Sequence, residues 1–209
     1  MKRVLITGAN RGIGLELCRQ FHKRGAQVLA ACRASSPELD ALGVEVHTGF
    51  DVSSDEKVAA LAQVLTGQSI DLLVNCAGIL SAGGIDALDF DSIRQQFEIN
   101  SMGPLRVTAA MLPLLAKESK VAIITSRMGS VADNDSGGYY GYRMSKAAVN
   151  MVGASLAVDL KPKGIAVGLL HPGFVRTDMT GGNGLIDANE SAAGLIARMD
   201  ELSMANTGG

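Results

Sequence analysis

Val4-Leu5-Ile6-Thr7-Gly8-Ala9-Asn10-Arg11-Gly12-Ile13-Gly14 sets the reading of the whole chain. An apolar run with β-branched members ends in a turn carrying glycines at 8, 12 and 14, and an amphipathic segment follows. This predicts a strand feeding through a tight loop into a helix N-terminus, where free backbone N–H groups and the positive end of the helix dipole make a local anion site. Glycine serves a mechanical purpose there. Without Cβ atoms the backbone can approach a pyrophosphate closely and the helix can pack tightly on its strand. The spacing is G-x-x-x-G-x-G rather than the commoner G-x-G-x-x-G, and taken alone it also fits a glycine-rich turn in another kind of α/β protein.

Beyond this loop the pattern alternates. Ile13 to Arg24 places Leu17 and Phe21 one helical turn apart and ends at Gly25, a C-cap signal. Gln27 to Cys32 is a short, near-continuous apolar strand, as in a sheet covered on both faces. Arg33 to Leu42 reads as a loop or short helix, Val44 to His47 as a third strand, and Asp55 to Leu65 as a helix capped by Ser54. Ile70 to Asn75 is a fourth strand. A glycine-dotted loop over 78–89 precedes a long helical region from Asp91 to Lys117, which Pro104 must break or kink. Lys120 to Thr125 is strand five, Arg127 to Gly138 a polar loop, Tyr140 to Leu160 a strong helix, Ile165 to His171 strand six and Asn189 to Leu202 the last helix. Strands alternating with helices predict a doubly wound parallel sheet with helices on both faces, joined by right-handed crossovers, in one domain spanning 1–209.

Composition narrows the function. Apolar residues make up 47% and charged residues 19% of the 209 residues, as in ordinary globular proteins. A net charge of −2 argues against nucleic acid or an anionic membrane as partner, so any anion site must be local. The longest apolar candidate for a span, Val107 to Ala116, is about half of the ~20 residues that a membrane helix needs, and it contains Pro113. Met1-Lys2-Arg3 runs straight into a strand and leaves no room for a signal peptide. Cys18, Cys32 and Cys76 are scattered, without metal spacing, and read as reduced core residues, which implies a cytoplasmic address and no metal. His22, His47 and His171 are equally dispersed and fit packing or surface roles.

The chain resembles the short-chain dehydrogenase/reductase family, with its single-domain Rossmann fold of six to seven strands, and is most similar to its C-factor/Sniffer-like carbonyl reductase branch. The resemblance rests on an ordered set covering almost the whole chain: Thr7-Gly8-x-x-x-Gly12-x-Gly14, Asp51-Val52, Asn75-Cys76-Ala77-Gly78, Asn100, Ser126-x-x-Gly129, Tyr142-x-x-x-Lys146 and Pro172-Gly173. Tyr142 and Lys146, spaced i and i+4, share a helix face, so phenol and ammonium can point into one cleft. A free phenol titrates at about 10, and a neighbouring cation favours its anion. The resemblance implies Tyr142 as the general acid that protonates a carbonyl oxygen, Lys146 as the residue that holds the nicotinamide ribose and tunes Tyr142, and Ser126 as donor to the same oxygen. It also implies that Asn100 opens its helix so that a backbone carbonyl can hold a water in a relay from Lys146. Asn75 is read as tying adjacent strands together and supporting the cofactor edge, and Cys76 replaces the asparagine the family usually repeats.

Cofactor choice follows from charge. A preference for NAD usually places Asp or Glu at the end of the second strand. Here Cys32 is followed by Arg33, and Arg11 lies inside the glycine loop, so two guanidinium groups suit a 2′-phosphate and NADP(H) is expected. Cofactor contacts are expected from Gly8, Asn10, Arg11, Gly12, Ile13, Gly14, Arg33, Asp51, Val52, Asn75, Ala77, Gly78, Tyr142, Lys146, Pro172, Gly173, Val175 and Thr177. The substrate is expected to be a small aldehyde, ketone or quinone, received by segments 79–89, 127–139 and 178–188 with Ile79, Leu80, Met128 and Met179 among them.

A homodimer is expected through the helices over 91–117 and 140–160, the second carrying Val149, Met151, Val152 and Leu156. The family continues past the last helix into one more strand, and this chain reaches Asn206-Thr207-Gly208-Gly209 where that strand would begin. Either the protein is naturally short or a tail is missing, and the expected consequence is an exposed sheet edge and a partly uncovered pocket. The rival reading is a non-catalytic dinucleotide-binding protein, a signal or redox sensor on the same fold. Ser126, Tyr142 and Lys146 together favour the enzyme, because a sensor needs no acid at that spot.

Overall fold

A computed structural model describes residues 2–209. Six parallel strands, β1 (Arg3–Thr7), β2 (Gln27–Ala31), β3 (Glu45–His47), β4 (Ile70–Asn75), β5 (Leu115–Ile124) and β6 (Ala166–Leu170), form one sheet in the order β3-β2-β1-β4-β5-β6. Alternation along each strand sends side chains to two separate cores. Leu5, Leu29, Leu73, Val121 and Val167 meet α3 (Asp55–Val64), α5 (Gly103–Met111) and α6 (Tyr140–Leu160) on one face. Val4, Ile6, Val28, Val74 and Ala122 meet α1 (Gly12–Lys23), the short α2 (Pro37–Asp40) and α7 (Ala188–Glu201) on the other. This is the doubly wound Rossmann architecture. The strand order reverses between β1 and β4, where such sheets open a crevice beyond their C-terminal edge.

The caps follow local chemistry. Ser36 and Ser54 accept hydrogen bonds from Leu39 N and Lys57 N at the starts of α2 and α3. At the start of α1 the flanking Arg11 offers no side-chain cap, and the first turn holds no acidic residue. Its N–H groups are therefore left for something else to satisfy.

Three readings of the chain need correction. The helical region predicted to reach Lys117 is α4 (Phe90–Phe97), a π-helical turn over Glu98–Met102, α5 and a 3-10 turn ending at Leu114, after which β5 already begins. Pro113 ends the helix because it cannot supply an interior N–H. The pairing of β5 with β4 then jumps from Ile70↔Leu115 to Leu72↔Lys120, with Glu118 at φ 74° in the bulge. Val149 faces the core and is fully buried, so it offers nothing to a dimer partner, whereas Met151 on the same helix is exposed. A small second sheet, β7 (Val175–Arg176) with β8 (Ile186–Asp187), was not anticipated. At the β6 edge Gly208 N donates to the Val167 carbonyl at 2.8 Å and Leu169 N to the Gly209 carbonyl at 3.0 Å. Residues 207–209 thus run alongside the outer edge of β6.

Candidate active site

A cleft of about 350 Å³ opens at the C-terminal ends of the strands. It gathers Gly8, Asn10, Arg11, Gly12, Ile13, Gly14, Arg33, Asp51, Val52, Ala77, Gly78, Tyr142, Lys146, Pro172 and Thr177, all expected from the sequence. Gly173 and Val175 lie outside its lining, and Val175 is buried in the β7–β8 pair. Asn75 is also outside, and its predicted role is corrected. Its Nδ2 donates to Thr108 Oγ1 on α5 at 3.1 Å, so it joins β4 to a helix rather than to an adjacent strand. Ile79 and Met179 line the cleft as expected, together with Cys32, Phe50, Cys76, Ile99, Ile124, Thr125 and Asp178.

The glycine loop is shaped by contacts no other residue permits. Gly8 has φ 68°, and a Cβ there would stand 2.8 Å from Ala77 Cα. A Cβ on Gly14 would stand 2.2 Å from the Gly8 carbonyl oxygen, inside any contact distance, so only glycine lets α1 close onto the loop. Thr7 fixes the other wall. Its Oγ1 accepts from Cys76 N at 3.0 Å and Ala77 N at 3.1 Å, clasping the end of β4 to the end of β1. This role escaped sequence reasoning, although Thr7 opens the glycine motif.

The uncapped first turn of α1 faces this cleft beside Arg11, whose Nη1 lies 3.8 Å from Asp178 Oδ2 on the exposed rim. Arg33 stands at the end of β2. Asp51 hydrogen-bonds Ser53, and that contact, aided by Arg33 and Arg106, holds its carboxyl below the ordinary aspartate range. A helix start without acids and two guanidinium groups fit a pyrophosphate and a 2′-phosphate.

At the opposite end, α6 delivers Tyr142 and Lys146 to one side of the cleft, with Lys146 Nζ 5.7 Å from the Tyr142 ring centre. Lys146 is 5% exposed and donates to the Ile124 carbonyl at 2.9 Å. Burial lowers its pKa to about 8. Burial likewise raises the Tyr142 phenol above its ordinary value, while the nearby Ser126 hydroxyl pulls the other way. Cys76, beside Lys146, is pushed up to about 12 by burial and stays a neutral thiol at neutral pH.

Ser126 lies just outside the cleft lining, at the start of a turn that carries Gly129. A Cβ there would meet the Lys146 backbone carbonyl carbon at 2.7 Å, so the S-x-x-G turn lies directly on α6. Thr125, its neighbour, bonds Asn150 through its hydroxyl, and its donor is already committed. Asn100 sits in the π turn, where the helix is disturbed as expected. Its Oδ1 accepts from Ile79 N at 2.8 Å, and its Nδ2 donates to the Ile79 carbonyl at 2.9 Å and to Ser145 Oγ at 3.0 Å. It therefore braces the loop after β4 against α6.

Tyr139 N donates to the Gly83 carbonyl at 2.9 Å and joins the loop after β4 to the loop before α6. Tyr139 itself has φ 51° and follows two left-handed glycines, 137 and 138. Among the described residues no group of three or more His, Cys, Asp or Glu is placed to hold a metal, and no helix is long and apolar enough to cross a membrane.

Residues 2–185 match the family model of the short chain dehydrogenases. The 1-hydroxy-2-glutathionyl-2-methyl-3-butene dehydrogenase of Rhodococcus sp. (strain AD45) is 46% identical over 214 residues, covering 100% of this chain and 95% of the relative. Among solved structures, the carbonyl reductase Sniffer of D. melanogaster superposes with a TM-score of 0.92 at 28% identity, over 100% of this chain and 95% of that one. The NADPH-bound carbonyl reductase from chicken fatty liver gives 0.89 at 29% identity, over 100% and 94% of the two chains.

Proposed function

Because the chain belongs to the short-chain dehydrogenase family, we propose that it is an NADPH-dependent reductase of aldehydes, ketones or quinones, acting as one NADP(H)-binding domain over residues 1–209. The observation that carries this reading is the placement of Tyr142 and Lys146 together in the wall of one cleft that also holds the glycine loop, Arg11 and Arg33, with the Ser126 hydroxyl acting on Tyr142 from just outside that wall. The carbonyl reductases among its structural neighbours, one of them NADPH-bound, support it.

A bound NADPH would supply the hydride. The remaining chemistry belongs to the chain. The α1 N-terminus and glycine loop would hold the pyrophosphate, Arg11 and Arg33 the 2′-phosphate, Asp51 and Val52 the adenine side, and Lys146 the nicotinamide ribose hydroxyls. Ser126 donates to the substrate carbonyl oxygen and polarises it, and Tyr142 delivers a proton to that oxygen as negative charge builds. Burial keeps the phenol protonated at neutral pH, as an acid requires. The same groups serve alcohol oxidation in reverse, the direction in which the Rhodococcus relative is named. Asn100 acts by holding the π turn open beside Lys146.

The reading extends to assembly and location. Phe97, Leu105, Met151 and Val158 expose apolar surface on α4, α5 and α6, supporting a homodimer through those helices. Light scattering tests this against twice the 21.7 kDa chain mass. Three free cysteines support a cytoplasmic, reducing compartment. The functional test follows NADPH absorbance over a panel of aldehydes, ketones and quinones. Turnover sustains the reading, and NADPH binding without turnover on any of them favours the sensor.

A further inference from the structure

Arg106 belongs to no motif, yet it ties the Val52–Asp55 stretch to the π turn beside the cleft. Its side chain is 15% exposed. Nη1 donates to the Val52 carbonyl at 2.7 Å, Nη2 to Glu98 Oε1 at 2.5 Å, and Nε to Asp55 Oδ1. Val52 lines the cleft, and its side chain packs so closely on α5 that a Cβ on Gly103 would stand 2.9 Å from Val52 Cγ2. Glu98 opens the π turn, whose Ile99 lines the same cleft. Asp55 opens α3.

Arg106 itself lies outside the lining, so any influence on a ligand passes through Val52 and Ile99. A planar guanidinium is suited to this, because it holds several acceptors at fixed angles where an ammonium offers only a point charge. The Asp55 carboxylate is largely exposed, so that pair contributes little by itself. The Val52 carbonyl and Glu98 contacts fix the geometry.

We propose that Arg106 is a positioning residue for the adenosine half of the dinucleotide, holding the Val52 and Ile99 walls of the cleft at a fixed separation. The inference rests on the cleft being an NADP(H) site. Asp51, next to Val52, also lies within electrostatic reach of Arg106, so the same guanidinium steadies both residues of the Asp51-Val52 segment. Supporting groups of this kind set how well a site is pre-organised while touching no ligand themselves.

Titration calorimetry with NADPH and with 2′,5′-ADP, which carries only the adenosine half, tests this on the wild-type chain and on Arg106→Met and Arg106→Lys. Steady-state kinetics accompany the titrations. In Arg106→Met both ligands should bind about tenfold more weakly, the scale on which one charge-assisted hydrogen bond acts. At saturating NADPH its kcat and its KM for the carbonyl should stay at the wild-type level, and Arg106→Lys should recover part of the binding. Wild-type affinity for 2′,5′-ADP in Arg106→Met overturns the proposal, as does a fall in kcat with that affinity unchanged. Should Arg106→Met not fold, wild-type affinity for both ligands in Arg106→Lys overturns it instead. A wild-type chain that binds neither ligand removes the NADP(H) reading itself, a result distinct from a variant that binds normally.

Discussion

Replacing Lys146 with methionine should abolish reduction and yet stabilise the ligand-free protein at neutral pH. The ammonium is buried, and the charge that would favour it, a thiolate on Cys76, does not form until about pH 12. Its pKa falls from 10.5 to about 8, so the fold disfavours the charged form by about 3 kcal/mol. Against this, Lys146→Met leaves the Ile124 carbonyl without the donor now 2.9 Å away, a loss of about 1–2 kcal/mol. The remainder, about 1–2 kcal/mol, corresponds to a rise in melting temperature of roughly 2–8 °C for a chain of this size.

The pH dependence has a definite sign. Between about pH 8 and 10.5 the unfolded chain holds the lysine proton and the folded chain does not, so wild-type stability from this group rises with pH. The advantage of the variant is therefore full below about pH 8 and fades toward 10.5. Thermal unfolding of both proteins across that range measures it. A variant less stable than wild type at neutral pH, or a gap that ignores pH, refutes the argument. Saturating NADPH should raise the wild-type melting temperature more than that of the variant.

Gly14→Ala places a Cβ 2.2 Å from the Gly8 carbonyl oxygen, so the loop must shift. A loss of about 2 kcal/mol or more in denaturant unfolding, with NADPH binding weakened, is expected. Arg33→Asp should reverse the cofactor preference toward NADH, read as the ratio of kcat/KM for the two cofactors. Comparable wild-type affinity for NADH and NADPH would show that the arginines do not select. The pH profile of kcat/KM for reduction should fall above an apparent pKa near about 8, because that parameter reports the free enzyme and Lys146 loses its charge there before the phenol does. A profile flat to about pH 10 contradicts this.

Much of this architecture is legible in the chain because it rests on local rules. Gly8, Gly12 and Gly14 mark a turn that only glycine can make, and Tyr142 and Lys146 share a face wherever they are helical. The predicted bounds of the Tyr140–Leu160 helix match the structure, since its apolar period is unbroken from Tyr140 to the Lys161-Pro162 stop. What escaped depends on partners far away in sequence. The bulge at Glu118 comes from pairing with β4, the reach of Asn75 to Thr108 from the packing of α5 on the sheet, and the burial of Val149 from the position of α6 over β5 and β6. Asn100 and Pro104 signalled a disturbed helix, and the disturbance is there, although its form as a π turn over Glu98–Met102 was not legible. Arg106 carries no signal at all in a single sequence, because its acceptors on Val52 and Asp55 lie far away along the chain.

In the proposed reaction one phenol delivers the proton while NADPH is consumed. This step is tested most directly by NADPH oxidation with a reducible carbonyl in wild type and in Tyr142→Phe, which removes a single oxygen from a ring that stays packed beside Lys146. Turnover is expected in the first and a loss of about 10²-fold or more in the second, with NADPH affinity unchanged. Equal rates in the two proteins would contradict it.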